Sequence, residues 1–272
     1  MSGVRIRLVT DPASCHTVED LQRVVWGLPE RGVVPAAQIR AIVHNGGMLL
    51  LASDDDGSPV GFCYAFVGVE DRRPILCSHM LAVLPVARGR GIGTALTLAQ
   101  REFARERGYA KITWTFDPLQ ARNAYLNLHR LGALARRYLV DHYGAMDDAI
   151  NRGLPTDRLL AEWPATPDDP AGGDRREPAS EPVAVPWILP AVSAEGPARP
   201  GALDRGPLHG PGGLVAVPVD IAALSNDDPD LPHRWRLALR VALQEAFAAG
   251  LVAVDVDRDA GAGIAAYVLE RS

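Results

Sequence analysis

Apolar and polar residues alternate over several short segments in the first half of the chain, and this pattern predicts strands. Alternation indicates a first strand from Val4 to Val9, and two more strands are expected at residues 48–53 and 60–68. The polar run Asp54-Asp-Asp-Gly-Ser-Pro between the last two predicts the loop of a hairpin. Its three adjacent carboxylates could hold a metal ion or be solvated.

Between the first and second of these strands, the apolar residues have helical spacing. Thr17, with Asp20 three residues later, predicts a helix start. That helix is expected to turn its apolar residues inward, and these are Leu21, Val24 and Val25. A second helix is predicted from Pro35 to His44, before the glycine pair that follows.

A glycine-rich segment in the middle of the chain is the most informative feature. An apolar run from Met80 to Leu84 predicts a buried strand, and Pro85 ends it because proline cannot donate to a sheet. Apolar residues at helical spacing begin at Ile92, directly after the glycine tract. The first amides of such a helix are unpaired and lie at the positive end of its dipole. The segment therefore predicts an anion site that suits a phosphate or pyrophosphate.

Two common phosphate loops are excluded by residue identity. A Walker loop needs a lysine after its last glycine, and a dinucleotide fingerprint needs a glycine where this chain has Thr94. What remains is Arg88-Gly-Arg-Gly-Ile-Gly93, which resembles the Arg/Gln-x-x-Gly-x-Gly/Ala signature of the GNAT N-acyltransferases. A simple tight turn with solvated arginines is the alternative interpretation.

The resemblance implies an acyl-CoA site, with acetyl-CoA or another acyl-CoA as co-substrate and no metal. In that family the loop amides hold the CoA pyrophosphate, and the preceding strand bonds the amides of pantetheine. The corresponding positions here are Leu81, Ala82, Val83, Arg88, Gly89, Arg90, Gly91, Ile92, Gly93 and Thr94.

The resemblance extends beyond the loop, to roughly residues 4–164. A strand is predicted from Lys111 to Asp117, followed by a helix that ends in Leu131-Gly132, where GNAT chains carry Leu-Gly-Phe. Ala133 replaces the phenylalanine, and Leu128 stands where the family's usual tyrosine acid is expected. Further strands are predicted at residues 133–143 and 154–163. The fold class that follows is α/β, with a GNAT-like mixed central sheet flanked by helices.

The reaction that the resemblance implies is direct attack of an amine on the thioester, which needs a base, support for an oxyanion and a proton for the thiolate. His79 is the candidate base, with a structural histidine bonded to backbone as the alternative. Tyr125 and His129, four apart on one helix, are candidates for protonating the thiolate, although Tyr125 could simply pack under the sheet. Asn123 is a candidate CoA contact, two positions from the family's usual register.

The acceptor is suggested by arginines only. Arg72, Arg73 and Arg122 are placed near the expected mouth of the cleft, and a guanidinium binds a carboxylate on two oxygens. They could bind the carboxylate of an amino acid whose amine is the acceptor, or the carboxylate of an acidic donor such as succinyl-CoA. They could also be exposed to solvent without a ligand. A catalytically degenerate acyl-CoA-binding module that regulates or scaffolds a partner is the alternative function, since the usual tyrosine is missing.

Bulk properties favour an acidic, cytoplasmic protein with no nucleic-acid or membrane partner. The 272 residues carry a net charge of -5, and no apolar run has membrane-spanning length. The three cysteines, Cys15, Cys63 and Cys77, are too scattered for a disulfide framework or a zinc site. Cys63 and Cys77 are predicted as small core residues, with a catalytic thiol as the alternative for Cys77.

Composition changes after the predicted catalytic domain, residues 1–164. Residues 165–207 are rich in proline and glycine and predict a flexible linker, except for the apolar run Val183–Leu189, which could dock on a neighbouring surface. Residues 208–272 predict a small β-α-β-β domain with strands at 214–219, 251–257 and 264–269 and an amphipathic helix at 232–249. This tail is similar to an extension found in a GNAT subgroup. Its faces need cover from the catalytic domain or a partner chain, for which a homodimer is one arrangement.

Overall fold

The computed structural model describes residues 3–28, 30–144, 153–166, 185–193 and 197–271. The chain forms two compact units. The first consists of Met1–Trp114 and Pro164–Thr166, and the second of Thr115–Trp163 and Pro167–Ser272. The expected domain limits at residues 164 and 208 concern which segments fold on their own, and they stay a prediction.

The first unit is built on a mixed sheet in which chain order and strand order agree. The strands are β1 (Arg5–Leu8), β2 (Met48–Ser53), β3 (Pro59–Glu70), β4 (Arg73–Val83) and the start of β5 (Lys111–Phe116). The pairings from β1 to β4 are antiparallel, and β4 pairs with β5 in parallel. The predicted hairpin is confirmed, and β4 begins at Arg73, well before the expected Met80.

Helices cover both faces of this sheet. The helices α1 (Pro12–Trp26) and α2 (Ala36–His44) lie over Leu49, Leu51 and Phe62, which form one apolar core with them. The helix α3 (Ile92–Glu106) lies on the opposite face, where its Gln100 accepts a hydrogen bond from Ser78 Oγ at 3.2 Å. Predicted positions of α2 and α3 are confirmed.

The start of α1 differs from the prediction. Asp11 caps the helix by accepting from the Ser14 amide at 2.8 Å, and Pro12 occupies the first turn. Thr17 lies inside the helix, where its hydroxyl donates to the Ala13 carbonyl at 3.1 Å, so its assignment as the cap was wrong. Val24 is 64% exposed, so its inward placement was also wrong, because the buried face of α1 contains Val18, Leu21 and Gln22 instead.

The second unit contains the rest of β5 and a sheet with the strand order β7-β6-β12-β13-β11-β8. Its elements, with a separate pair β9–β10, are α4 (Ala121–Tyr125), β6 (Leu134–Leu139), β7 (Arg158–Pro164), β8 (Trp187–Leu189), β9 (Ala191–Val192), β10 (Arg199–Pro200), β11 (Gly212–Pro218), α5 (Ile221–Asp227), α6 (Leu231–Ala248), β12 (Leu251–Gly261) and β13 (Ile264–Arg271). Mixed strands and helices in both units confirm the predicted α/β class.

The C-terminal elements follow the predicted pattern closely. Trp235, Leu239 and Leu243 of α6 are fully buried, as expected for its apolar face. The short α5 was not predicted, although Asp220 accepts from the amides of Ala222 and Ala223 and so carries a recognisable cap.

The expected linker is described only in part. Residues 167–184 and 194–196 lie outside the described residues, and with them the start of the run Val183–Leu189. The last three residues of that run form β8 (Trp187–Leu189), which pairs in parallel with β11. Ile188 and Leu189 are buried there, so this short apolar run packs within the second unit.

Buried charges distinguish the interior of the second unit. Arg236 of α6 donates to both carboxylate oxygens of Asp117 at 2.7 and 2.9 Å, with exposures of 0% and 7%. Asp157, also fully buried, accepts from Arg240 at 2.9 Å and from the Tyr138 hydroxyl at 2.7 Å. Each charge is paired, which is the condition for burying it.

Candidate functional site

The glycine tract forms a turn with a left-handed backbone in front of α3. Gly89 and Gly91 have φ angles of 79° and 77°, a region that residues with a Cβ rarely adopt. Gly91 is the N-cap of α3 and offers no side-chain acceptor to the first turn. Among the described residues, the amides of Gly91, Ile92, Gly93 and Thr94 donate to no protein acceptor. The turn therefore presents consecutive donors at a helix N-terminus, as an anion site requires.

The space in front of these glycines is open. A Cβ on Gly89 or Gly91 would meet no described atom within 4 Å. A Cβ on Gly93 would touch Leu81 at 3.7 Å and Val83 at 4.0 Å, so this glycine joins α3 closely to β4. The loop backbone can thus be approached closely by a ligand, which fits the predicted pyrophosphate position.

The loop arginines have different surroundings. Arg90 donates to Asp54 through two nitrogens, at 2.5 and 3.2 Å, and this pairing lowers the pKa of Asp54 through the hydrogen bond. Asp54, in the loop of the hairpin, thus contacts the glycine turn through Arg90. Arg88 is exposed and makes no side-chain hydrogen bond or ion pair to the part of the chain that the structure describes.

The strand β4 has one free edge beside this loop. On one side it is paired with β3 as far as Val83, but on the other its pairing with β5 stops at Cys77 and Thr113. From Ser78 to Val83 this second edge has no partner strand among the described residues. Leu81, Ala82 and Val83, the predicted pantetheine contacts, therefore belong to a segment whose backbone can accept a ligand as if it were another strand.

His79 lies at a bulge in β4. Ser78 pairs with Ala65 and Met80 with Tyr64, so His79 is an extra residue with no opposite partner. Such an insertion redirects a side chain and is common beside active sites. The His79 ring lies edge-on to Tyr64 and Phe66, with centroid distances of 6.1 and 5.9 Å. His79 stays accessible to solvent, yet partial burial lowers its pKa and favours the neutral imidazole that a base needs.

Tyr125 and His129 are brought together in the second unit. After Tyr125 the helix continues as a π-helical turn, Leu126–Arg130, and the two rings stack with centroids 4.4 Å apart and an interplanar angle of 18°. His129 Nδ1 lies 2.9 Å from Asp255 Oδ1 of β12. Leu128, at the family's usual tyrosine position, is 1% exposed and belongs to the core.

The remaining predicted positions are exposed. Asn123 and Arg122 lie on α4, and Arg72 and Arg73 lie at the tip between β3 and β4, where Arg72 has a φ angle of 64°. A strand rises ~3.3 Å per residue, so Arg73 lies about 20 Å along β4 from His79. The structure does not bring these two arginines to the bulge.

The cysteines act as packing residues. Cys63 is fully buried, and burial raises the pKa of its thiol to about 12. Cys77 is partly buried, accepts a hydrogen bond from Thr113 Oγ1 at 3.7 Å and has a pKa raised by burial. A raised pKa disfavours the nucleophilic thiolate, so the structural interpretation of Cys77 is the better supported one.

The sequence analysis did not predict the contact between Asp54 and Arg90, and it did not identify Asp255 or Arg258. Asp54 belongs to the charged loop of the predicted hairpin, and Asp255 lies inside the predicted strand at 251–257, whereas Arg258 follows its predicted end. Charged residues within a predicted strand were the available signal. Among the described residues no cluster could hold a metal ion, and none of their helices is long and apolar enough to cross a membrane.

Comparison with known families agrees with this geometry. Residues 16–133 match the sequence model of the Acetyltransferase (GNAT) family. This part of the chain is therefore a GNAT acetyltransferase domain, and the resemblance inferred from the glycine loop is confirmed. The matched segment holds the loop, β4 and the turn that carries His129, whereas the similarity of the C-terminal tail to a GNAT subgroup stays a prediction.

Solved structures with a similar fold are distant in sequence. The ribosomal-protein-S18-alanine N-acetyltransferase from Escherichia coli is 14% identical, with a TM-score of 0.48 over 60% of this chain and 95% of its own. Arabidopsis thaliana NAA60, in complex with a bisubstrate analogue, is 16% identical, with a TM-score of 0.47 over 59% and 97%. Salmonella typhimurium yncA, with acetyl-CoA, is 19% identical, with a TM-score of 0.48 over 61% and 95%. No curated protein matches the chain.

Proposed function

We propose that this protein is an acyl-CoA-dependent N-acyltransferase that moves an acetyl or succinyl-like group from CoA to the amine of a small molecule such as an amino acid. The observation that carries the proposal lies in the first unit. There a loop with unpaired amides directly follows a strand whose edge is free from Ser78 to Val83. We expect the protein to work in the cytoplasm, where acyl-CoA is available.

The two features suit the two parts of CoA. Amides of the turn from Gly91 to Thr94, at the positive end of α3, match the charge of a pyrophosphate. The free edge of β4 offers alternating donors and acceptors to the amides of a pantetheine arm. A phosphate ligand without such an arm would use the loop but would leave the strand edge unused.

His79 supplies the proposed base. Its bulge turns the ring against Tyr64 and Phe66, and its lowered pKa keeps the imidazole neutral and able to accept a proton near pH 7. The acceptor amine then attacks the thioester carbonyl directly. Tyr125 and His129 are the proposed donors of a proton to the thiolate, and Asn123 is a proposed CoA contact.

The arginines bear on the choice of acceptor. Arg122 is the candidate for the carboxylate of an amino acid or of an acidic acyl group. Arg72 and Arg73 lie about 20 Å from His79 along β4, beyond the reach of a small amino acid. If they bind the acceptor, a peptide amine is the second candidate, since an extended chain could span that distance.

Thiol release tests the activity. Acetyl-CoA and succinyl-CoA are offered with a panel of free amino acids and short peptides, and the products are identified by mass spectrometry. We expect acylated amine with one free CoA per product. CoA binding without thiol release across the panel would favour the alternative, a degenerate acyl-CoA-binding module.

A pair of glycine variants tests the CoA loop. Gly91→Leu places a side chain in the open space before the loop and should weaken CoA binding at least tenfold, about 1.4 kcal/mol. Gly108→Leu is the matched control because Gly108 has φ +71 and equally open space at the other end of α3. Titration calorimetry measures both. Equal CoA affinity in the two folded variants would contradict the proposed loop.

A further inference from the structure

The C-terminal strand β12 contacts both of the candidate proton donors in the second unit. Asp255 Oδ1 lies 2.9 Å from His129 Nδ1. Three residues later, the guanidinium of Arg258 lies 4.9 Å from the centre of the Tyr125 ring. The predicted extension therefore meets the helix that carries the proposed chemistry, and it does so at the two relevant side chains.

Backbone irregularities on both sides create this contact. His129 lies in a π-helical turn, in which the Leu131 amide donates to the Leu126 carbonyl at 3.0 Å. Asp255 directly follows a bulge in β12. Ala253 pairs with Leu269 and Asp255 with Val268, so Val254 is an extra residue. Single π turns and bulges occur often at functional sites, where they redirect side chains.

Asp255 and His129 are each held from a second direction. The Val256 amide donates to Asp255 Oδ1 at 2.6 Å, which fixes the carboxylate, and the Tyr125 ring stacks on His129. The side chains of His129 and Asp255 are still 44% and 42% exposed, so the imidazole can reach a ligand. A surface ion pair of long, mobile side chains would have none of this support.

We infer that Asp255 is a positioning residue for His129, which donates the proton to the departing CoA thiolate; this rests on the proposed acyltransferase function. A carboxylate can only accept, so it holds the proton on Nδ1 and leaves Nε2 for transfer. The C-terminal segment is then part of the reaction machinery rather than a separate appendage.

The amine nitrogen bonds to the thioester carbon, the carbon–sulfur bond breaks, and sulfur leaves with the bonding pair. Sulfur takes the proton from Nε2 of the charged imidazole, while Nδ1–H stays on Asp255. The neutral imidazole regains a proton at Nε2 from the nitrogen of the new amide, through water. The first proton of the acceptor ammonium goes separately to His79.

Four forms of the full chain are compared: wild type, Asp255→Ala, Asp255→Glu and the control Asp259→Ala, an exposed carboxylate on the same strand, and a fifth form serves only for NMR assignment. Steady-state thiol release gives kcat and KM for acyl-CoA. Nitrogen-15 NMR of the histidine ring, assigned with His129→Gln, gives the neutral tautomer. We expect Asp255→Ala to lower kcat about tenfold to a hundredfold with KM within about twofold. The NMR spectrum should change from the Nδ1–H to the Nε2–H form.

The controls separate the possible failures. Asp259→Ala should keep wild-type kcat and tautomer, and Asp255→Glu should recover part of both. If Asp255→Ala keeps kcat within about twofold, or His129 keeps Nδ1–H without it, the inference is wrong while CoA binding and turnover by the wild type still support the acyltransferase. If the wild type neither binds CoA nor releases thiol, both the function and the inference are overturned.

Discussion

His79 is itself the extra residue of the bulge in β4, and its proposed role as the base can be tested separately from CoA binding. Because burial lowers its pKa, the neutral base predominates at pH 7 and is lost only as the pH falls through a value below the ordinary 6.5 or so. We expect kcat/KM of the wild type to rise with pH through that lowered pKa. His79→Gln should keep CoA affinity, lower turnover by about two to four decades and lack this rise.

A small effect of His79→Gln on turnover would show that His79 has a structural role. If turnover of His79→Gln falls less than threefold with the pH profile intact, the proton leaves by another route, such as water or an already neutral amine. Tyr125→Phe is then the next variant to measure, since Tyr125 stacks on His129.

The lowered pKa of Asp157 leads to a prediction of how the unfolding free energy depends on pH. Burial alone would raise its pKa, but hydrogen bonds from Arg240, the Asp141 amide and Tyr138 outweigh it and the pKa is lowered. The folded state therefore binds this proton less readily than the unfolded chain, so the contribution of Asp157 is full above about pH 4 and is lost as the pH falls through the lowered value. The difference in unfolding free energy between wild type and Asp157→Asn should shrink from pH 6 to pH 3. Urea titrations at each pH measure it, and a constant difference would contradict the assignment.

The pair between Arg236 and Asp117 connects α6 to the turn that begins α4. Asp117 also accepts from the Leu119 amide at 2.8 Å, and the Tyr267 hydroxyl donates to the Pro118 carbonyl at 2.8 Å. Arg236→Met would leave a buried carboxylate unpaired and should cost about 3–5 kcal/mol of unfolding free energy.

Arg234→Met is the matched control for that experiment. Arg234 lies on the exposed side of α6, where it pairs with Asp228, and its loss should cost less than about 1 kcal/mol. Adding Asp117→Asn to Arg236→Met should restore part of the lost stability, because no unpaired charge remains. Denaturant unfolding compares the four proteins, and equal losses for Arg236→Met and Arg234→Met would show that the buried pair contributes little.

Features that depend on neighbouring residues could be predicted from the sequence, whereas contacts between distant residues could not. The glycine tract, the strand before it and the face of α6 depend on neighbours in the chain, so their positions could be inferred. The bulge at His79 depends on how β3 and β4 pair, and the Asp255–His129 contact joins residues 126 positions apart. Periodicity contains no information about such pairings, and for this reason the candidate residues were found but their partners were not.

Residues 208–272 supply β11, β12 and β13, which continue the sheet beyond β6. They also contribute both arginines that neutralise Asp117 and Asp157. We expect a fragment ending at Pro164 to be aggregated or unfolded in its second half, because one edge of β6 and two buried carboxylates lose their partners. Size-exclusion chromatography and thiol release compare it with the full chain. A soluble fragment of equal activity would contradict this expectation.

The position of β12 beside β6 also affects how the protein is made. Residues of β6 leave the ribosome long before those of β12, which must be synthesised before Ala135 can pair with Ala253. Until then the nascent second unit has an open strand edge and two acids without their arginines. Sheets that close through such distant pairings fold slowly and are prone to aggregate while incomplete. We therefore expect this half of the protein to be more prone to aggregate during synthesis than the first unit, which has nearly all its partners by residue 114.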